Sequence, residues 1–400
     1  MSDTRAIGGD GPGHDGQCET KASNMRILMV TDTYAPARNG VAMWASLSVR
    51  ELLARGHEVE VLTYAHDRRE PGDVITYELP AWIGFDSDFK VAPILSGMPR
   101  AMDGKRWDIV HVHHPILLGP AGVDLGRRCR AKVVFTCHSV YTDYLDEYYW
   151  GLGRPFKPML NAGTARFVDS CDLALAPSTR VVRWLRDSGA TARIEMLEAP
   201  ADTDRIQRSP RAEARAALGI GDGPLALYVG RIADEKRVDA LVEEFALTAS
   251  SVPGARLALA GRGVRVASVK RRAERLGLAD KVLMLGPVAG EQLGLWYSAA
   301  DISVSASRSE TGPLTVVEAM SCGTPTVALR APGFEDRIAD RVNGVLAPDR
   351  PGALGEAMAR VLQDPEFRAR LAAGALESAP RYTPAVNTER LLALYEDLLA

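Results

Sequence analysis

The chain contains no apolar run near the ~18 residues that a bilayer-spanning helix needs, so nothing in it reads as a membrane span. It has no Cys-x-x-Cys pair. Its five cysteines, Cys18, Cys129, Cys137, Cys171 and Cys322, are odd in number and scattered. That pattern excludes a disulfide framework and a zinc ribbon, and fits buried thiols in a reducing compartment. Neither charge dominates: 48 Lys and Arg stand against 51 Asp and Glu, for a net charge of −3. A nucleic-acid partner has no basic footprint here. Residues 1–24 are mostly small and polar and lack the apolar core of a secretory leader. They are expected to form a disordered tail, with folded structure from Met25, itself a second candidate for the natural start. No short repeat or low-complexity tract interrupts the rest.

What is present is an ordinary globular composition, 46% hydrophobic and 25% charged over 400 residues, enough for two cores. Short apolar strands are expected at 26–31, 58–63, 108–113, 132–137 and 173–176, with a helix at 41–55 closed by Gly56. This is the rhythm of a parallel sheet covered by helices. A polar, proline-containing stretch at 199–210 reads as a boundary. The rhythm then restarts with strands at 225–229, 256–260, 281–285, 302–305, 326–329 and 344–346. Val238, Leu241, Val242 and Phe245 mark one helix face. The expected fold class is α/β, with two doubly wound domains at 25–205 and 206–380 facing a cleft between their strand ends. A last amphipathic run, within 381–400, is expected to pack back on the body.

The most telling segment is Ser309-Glu310-Thr311-Gly312-Pro313-Leu314-Thr315-Val316-Val317-Glu318. The strand at 302–305 precedes it and a helix over 314–321 follows, with Pro313 suited to the first turn. Glu310 therefore stands above a strand end and Glu318 about one turn into a helix. Gly312 permits close backbone approach, and the helix N-terminus offers N–H groups to an anion. A carboxylate, an anion cradle and a second carboxylate match the order sugar, diphosphate, ribose. Glu318 could equally be a surface glutamate, but Val316, Val317, Ala319 and Met320 around it are apolar, and a carboxylate there needs a partner. Arg231 and Lys236 flank the loop after the strand at 225–229, where two cations could neutralise a diphosphate; surface cations at a helix start are the plainer reading.

Together with Asn39-Gly40-Val41, His114-Pro115, Val229-Gly230-Arg231 and Thr136-Cys137-His138-Ser139 with Tyr141 and Tyr144, this ordered set resembles the retaining GT-B glycosyltransferases of family 4. The likeness spans residues 25–400 and is strongest to the branch of bacterial diacylglycerol glucosyltransferases and α-mannosyltransferases. The resemblance implies a metal-independent hexosyltransferase that uses a nucleotide sugar, UDP-glucose-like or GDP-mannose, without any cofactor. It implies that Arg231 and Lys236 grip the diphosphate, Glu318 holds the ribose and Glu310 a hydroxyl of the transferred sugar. Gly40, Val288, Gly312, Leu314 and Thr315 would complete the donor site, Val288 against the base. His138 would contact the sugar near the reacting carbon, although a histidine at a strand end is by default a core residue. Asn39, His114, Tyr141 and Tyr144 would face the acceptor. Same-face attack, with the leaving phosphate taking the acceptor's proton, is the implied course.

Several features point elsewhere. His111 and His113 share a strand face, but no carboxylate or cysteine cluster joins them as a metal site. Asp86-Ser87-Asp88 has the form of a metal-binding pair, yet it follows no strong strand and reads as loop. Glu198-Ala199-Pro200-Ala201-Asp202, Gly261-Arg262-Gly263 and Gly312-Pro313 depart from the family's usual turns and leave donor identity open. The expected acceptor is a lipid, a glycolipid or another sugar-bearing molecule, with a small natural product as the alternative. Tyr141, Tyr144, Tyr148, Tyr149 and Trp150 suit a lipid, a sugar or a polycyclic aglycone, and Arg154, Lys157 and Arg166 after them suit anionic lipid headgroups. Against headgroup contact, residues 25–200 carry 21 Lys and Arg and 21 Asp and Glu. A cytoplasmic location is expected, with peripheral contact at the inner membrane face as a lesser option. A sugar-nucleotide epimerase, a phosphorylase and an inactive sugar-nucleotide-binding protein remain as other classes. A phosphorylase would need a cofactor lysine from only eight lysines.

Overall fold

A computed structural model describes residues 24–37, 39–65, 74–81, 83–86, 89–91, 98–143, 154–288 and 290–400, with backbone alone at 83–86 and 89–91. In the N-terminal half the strands are β1 (Arg26–Val30), β2 (Glu58–Tyr64), β3 (Ile75–Leu79), β4 (Ile83–Asp86), β5 (Phe89–Val91), β6 (Ile109–Val112), β7 (Lys132–Thr136), β8 (Leu173–Ala176) and β9 (Ile194–Met196). Seven of them form one parallel sheet in the order β3-β2-β1-β6-β7-β8-β9. The C-terminal half contributes β10 (Leu225–Val229), β11 (Arg256–Ala260), β12 (Val282–Gly286), β13 (Ile302–Ser305), β14 (Thr326–Leu329) and β15 (Gly344–Ala347). These form a second parallel sheet, β12-β11-β10-β13-β14-β15. The fold is therefore the expected pair of Rossmann-like sheets. Strand order reverses between β1 and β6 in one and between β10 and β13 in the other, where such sheets leave a crevice at the strands' carboxyl ends.

Helices cover both faces of each sheet because the strands are apolar on both sides. Those used below are α1 (Gly40–Ala54), α2 (Leu118–Cys129), α3 (Lys157–Val168), α4 (Thr179–Asp187), α5 (Arg211–Ala217), α6 (Val238–Ser251), α7 (Val266–Arg275), α8 (Glu291–Ala299), α9 (Leu314–Ser321), α10 (Ala353–Gln363), α11 (Pro365–Ser378) and α12 (Pro384–Leu399). In the second sheet, Val238, Leu241, Val242 and Phe245 of α6 lie in one core layer with α7 and α10. Trp296 and Tyr297 of α8 and Ala319 of α9 lie in the other.

Helix α12 leaves the second sheet and returns to the first. Thr383 caps its N-terminus through Val386 N, and its Leu391 and Tyr395 are buried in the core beneath β1, β6 and α1. Leu314 of α9 packs against that same core. Asp336, from the loop after β14, accepts hydrogen bonds from Thr179 N (3.0 Å) and Thr179 Oγ1 (2.8 Å) at the N-terminus of α4. The Arg337 guanidinium beside it is 2% exposed, lies 4.4 Å over the Tyr382 ring and donates to Ala199 O at 3.0 Å. The two halves thus meet through named polar contacts around the 198–202 turn.

Four strands, β3, β4, β5 and β9, escape the sequence pattern. β3 is an edge strand with an exposed first residue, and β9 has three half-buried residues, so neither shows a long apolar run. Asp86, expected in a loop, ends β4, which pairs antiparallel with β5; Ser87 and Asp88 lie outside the described residues. Residues 1–23 and 144–153, with Tyr144, Tyr148, Tyr149 and Trp150, also lie outside them. Among the described residues, no helix is long and apolar enough to cross a membrane.

Candidate active site

On the second sheet, the loop after β10 runs through Arg231 into a single 3-10 turn, Asp234–Lys236, which ends at Arg237 in the left-handed region (φ 53°). Gly261 and Gly263 press against this loop. A Cβ on Gly261 would stand 1.9 Å from Gly230 O, and one on Gly263 2.2 Å from Ile232 O. Glycine is required at both, which explains the retained glycines of Gly261-Arg262-Gly263. Lys236 Nζ then reaches Glu310 Oε1 at 2.6 Å, with side-chain exposures of 22% and 13%. Arg231 is more open, 55% exposed, and pairs with Glu235 at 2.7 Å. The two expected cations are thus unequal: Lys236 is tied to the carboxylate loop and Arg231 stands at the rim.

Glu310 is seated by a glycine that sequence reading missed. Gly333 has φ 89°, and a Cβ there would lie 2.3 Å from Glu310 O. Beyond Glu310, Thr311 Oγ1 donates to His138 O at 3.2 Å, joining this loop to the first sheet. A Cβ on Gly312 would make ordinary contact with Pro177 Cβ at 3.4 Å. Thr315 is half-buried in the first turn of α9, and Val288 is half-buried against the core layer of α8 and α9. One turn on, Glu318 accepts a hydrogen bond from Tyr297 Oη at 2.8 Å. Burial pushes the Glu318 carboxyl up, against the Tyr297 hydrogen bond, with Asp202 adding repulsion. Tyr297 is the partner that the apolar surroundings of Glu318 demanded; it lies 21 residues upstream on α8, beyond the reach of local pattern.

On the first sheet, four histidines gather at the ends of β6 and β7. His111 and His113 stack at 4.5 Å, His113 Nδ1 lies 2.9 Å from His138 Nε2, and the Trp44 ring meets His138 edge-on at 4.9 Å. His111 is held at both nitrogens, by Tyr395 Oη and Thr136 Oγ1, each at 2.6 Å. Burial pushes the imidazoles of His138 and His113 well down, that of His111 to about 3 and that of His114 to about 4. The cluster is therefore neutral at physiological pH.

Asp32, one residue past the loop start after β1, is a buried carboxyl that sequence reading passed over. It is 2% exposed; its Oδ1 accepts from Leu118 N at 3.4 Å, and its own N–H donates to His114 Nδ1 at 3.2 Å. Burial raises its pKa to about 8.

The remaining expected residues divide. Gly40 is the first residue of α1 rather than part of the loop, and a Cβ there would meet nothing within 4 Å, so neither sterics nor φ demands glycine. Both polar ends of Asn39 serve the fold: Oδ1 caps α1 at Ala42 N and Nδ2 donates to Thr33 Oγ1, each at 2.9 Å. Tyr141 packs edge-on against Trp184 at 5.8 Å. Tyr144 lies outside the described residues. On the first domain, Pro115, Ile116, Phe156, Met159, Leu160, Gly163 and Thr164 line a cavity of about 350 Å³. Ile116, Phe156 and Met159 are 52%, 56% and 66% exposed, an apolar opening of a kind a water-facing surface rarely keeps.

Two family models match the chain: "Glycosyltransferase Family 4" over residues 38–205 and "Glycosyl transferases group 1" over residues 210–377. The α-monoglucosyldiacylglycerol synthase of Streptococcus pneumoniae is 30% identical over 350 residues, covering 84% of this chain and 78% of the relative. A D-inositol 3-phosphate glycosyltransferase from Frankia alni is 29% identical, covering 88% and 92%. Among solved structures, sucrose-phosphate synthase from Thermosynechococcus elongatus superposes with a TM-score of 0.75 at 21% identity, covering 94% of this chain and 99% of that one. Anabaena HepE in complex with UDP-glucose gives a TM-score of 0.73 at 18% identity, covering 94% and 100%.

Proposed function

The chain belongs to glycosyltransferase family 4, and from that premise we propose that it is a retaining, metal-independent hexosyltransferase. It moves a hexose from a nucleotide sugar, UDP-glucose-like or GDP-mannose, to a hydroxyl of a lipid or glycolipid acceptor. The observation that carries this reading is the Lys236–Glu310 contact on the loop after β13, with the Tyr297-bound Glu318 on the helix that follows and Thr311 joining that loop to His138.

In this reading the diphosphate lies at the N-terminus of α9, between Lys236 and Arg231. Glu318 accepts from the ribose hydroxyls, its second oxygen being held by Tyr297. Glu310 turns from Lys236 to a hydroxyl of the transferred sugar once the phosphates engage the lysine. As the glycosidic bond breaks, negative charge grows on the diphosphate, and Lys236 and Arg231 stabilise it. The acceptor hydroxyl attacks from the leaving group's face, and the departing phosphate oxygen takes its proton. The protein supplies positioning and fixed charge and needs no metal or cofactor.

The apolar cavity at Ile116, Phe156 and Met159 supports a lipid acceptor, since acyl chains are what such an opening accommodates. The pneumococcal relative, named for a glucosylated diacylglycerol product, supports the same class. The test is product formation from UDP-glucose, UDP-galactose, UDP-N-acetylglucosamine and GDP-mannose with diacylglycerol and with a water-soluble sugar acceptor. Transfer to diacylglycerol with an α-linked product is the expected result. An inverted product, or no transfer from any of the four donors, overturns the reading.

A further inference from the structure

We infer that His113 is a positioning residue for transfer: it donates its Nδ1 proton to His138 and thereby holds His138 as the neutral tautomer that presents an Nδ1–H donor to the cleft. The inference rests on the reading of His138 as the first-domain group that meets the donor sugar.

The geometry of the pair is that of a hydrogen bond in the ring plane. His113 Nδ1 and His138 Nε2 are 2.9 Å apart. Their rings are inclined by only 20°, with centroids 5.1 Å apart. Near-coplanar imidazoles meeting end to end give this combination, whereas the face-to-face pair His111 and His113 has centroids at 4.5 Å. Both members are neutral, so a single proton lies between them and one ring must be the donor.

The far nitrogen of His113 decides which. Its Nε2 is buried and has no hydrogen-bond partner among the described residues. If His113 accepted from His138, its own proton would sit on that Nε2 as a buried, unpaired N–H. If His113 donates through Nδ1, only a lone pair is left unpaired. Orphaned buried N–H groups are the rarer of the two, because a donor has a single direction to satisfy. The proton therefore lies on His113 Nδ1, and His138 Nε2 accepts it.

The rest follows from exclusion at His138. With Nε2 occupied as an acceptor, the proton of a neutral His138 is on Nδ1, and no described residue pairs with that nitrogen. Trp44 against the ring edge opposes its rotation. Thr311 bonded to His138 O brings the Glu310 loop alongside. His138 thus gives a hydrogen bond to an oxygen of the bound sugar. It cannot serve as a base, because its lone pair is already used. His111, clamped by Thr136 and Tyr395, stacks on one face of His113 and supports its plane. His114, whose Nδ1 accepts from Asp32 N, lies with its ring 6.4 Å from His138 and adds no charge.

The experiment is a long-range ¹H–¹⁵N spectrum of the full chain labelled at histidine, with His138 assigned by its loss in His138→Gln. Wild type is expected to show His138 protonated at Nδ1. In His113→Ala that signal should shift toward the Nε2-protonated form. The variant's kcat should fall about tenfold or more, with donor KM changed less than about twofold. His113→Asn, whose amide N–H can replace the Nδ1 donor, should recover kcat to within about threefold of wild type. An Nε2-protonated His138 in wild type overturns the inference without any variant having to fold. So does a His113→Ala enzyme with wild-type kcat. Unchanged turnover in His138→Gln overturns the reading of His138 itself, and is told apart because the wild-type spectrum then still shows the Nδ1–H form.

Discussion

Lys236 Nζ and Glu310 Oε1 sit 2.6 Å apart, so the cation assigned to the diphosphate and the carboxylate assigned to the sugar neutralise each other. Donor engagement must exchange this contact for two others. Glu310→Gln frees the lysine and is expected to tighten binding of a free nucleoside diphosphate while lowering kcat for transfer. Calorimetry with UDP and GDP, set beside steady-state kinetics, checks both. Weaker diphosphate binding in Glu310→Gln would sink the assignment.

The two cations should differ in weight. Lys236→Ala is expected to lose on the order of 3–4 kcal/mol of transition-state stabilisation. Arg231→Ala should lose less, because Arg231 is half-exposed and paired with Glu235. The ratio of kcat/KM between the variants is the measurement, and an equal or reversed order would count against a crevice centred on Lys236.

Glu318 and Tyr297 should act on nucleotide affinity as a pair. Glu318→Ala is expected to weaken UDP or GDP binding by about 1–3 kcal/mol and to raise donor KM more than it lowers kcat. Tyr297→Phe, which removes only the 2.8 Å hydrogen bond to Glu318, should move the same quantities in the same direction by a smaller amount. A Tyr297→Phe enzyme with unaltered nucleotide affinity would show that Glu318 does not depend on that bond for its orientation.

Asp32 makes a pH signature. Burial raises its pKa from 3.8 to about 8, so the folded chain keeps a proton that the unfolded chain loses. The unfolded state binds fewer protons across that window, and this residue's contribution to stability therefore falls as pH rises. Asp32→Asn removes the effect. Its stability relative to wild type should grow by up to about 1.4 kcal/mol per pH unit between about pH 5 and 7. Denaturant midpoints at several pH values test this, and a pH-independent difference would mean that Asp32 titrates normally.

Turnover should persist in EDTA, since in the proposed reading Lys236, Arg231 and the N-terminus of α9 take the place of a metal under the diphosphate. Among the described residues, no group of three or more His, Cys, Asp or Glu is arranged to hold an ion. Loss of activity in chelator, restored specifically by manganese or magnesium, would bring the 86–88 segment back into the site.

The sequence was most readable where one residue type served one local purpose. Strands such as Leu225–Val229 and Ile302–Ser305 are buried throughout or nearly so, and their apolar runs mark both ends. The segment from Glu310 to Glu318 was legible because Pro313 and the α9 pattern fix its geometry within nine residues. What escaped depends on contacts distant in sequence. Tyr297 meets Glu318 across two helices, Gly333 meets Glu310 O across β14, and Asp336 meets Thr179 over 157 positions. Asp32 looked like any polar residue after a strand, and only the packing of α2 over it explains its burial. Asn39 shows the same limit from the other side: its side chain is engaged in the α1 cap and with Thr33, a structural role that its residue type alone does not reveal.

Helix α12 has a consequence for how the molecule is made. Tyr395 and Leu391 complete a core whose other fully buried members all lie within residues 25–199, and the Tyr395 phenol is one of the two hydroxyls that clamp His111. The half synthesised first therefore emerges from the ribosome with a gap under its sheet, which stays open through the synthesis of almost two hundred further residues. Until residues 384–399 arrive, the apolar surface that Leu391 and Tyr395 cover stays open to water and to wrong contacts. A shortened C-terminus would then damage the half of the protein most distant from it in sequence.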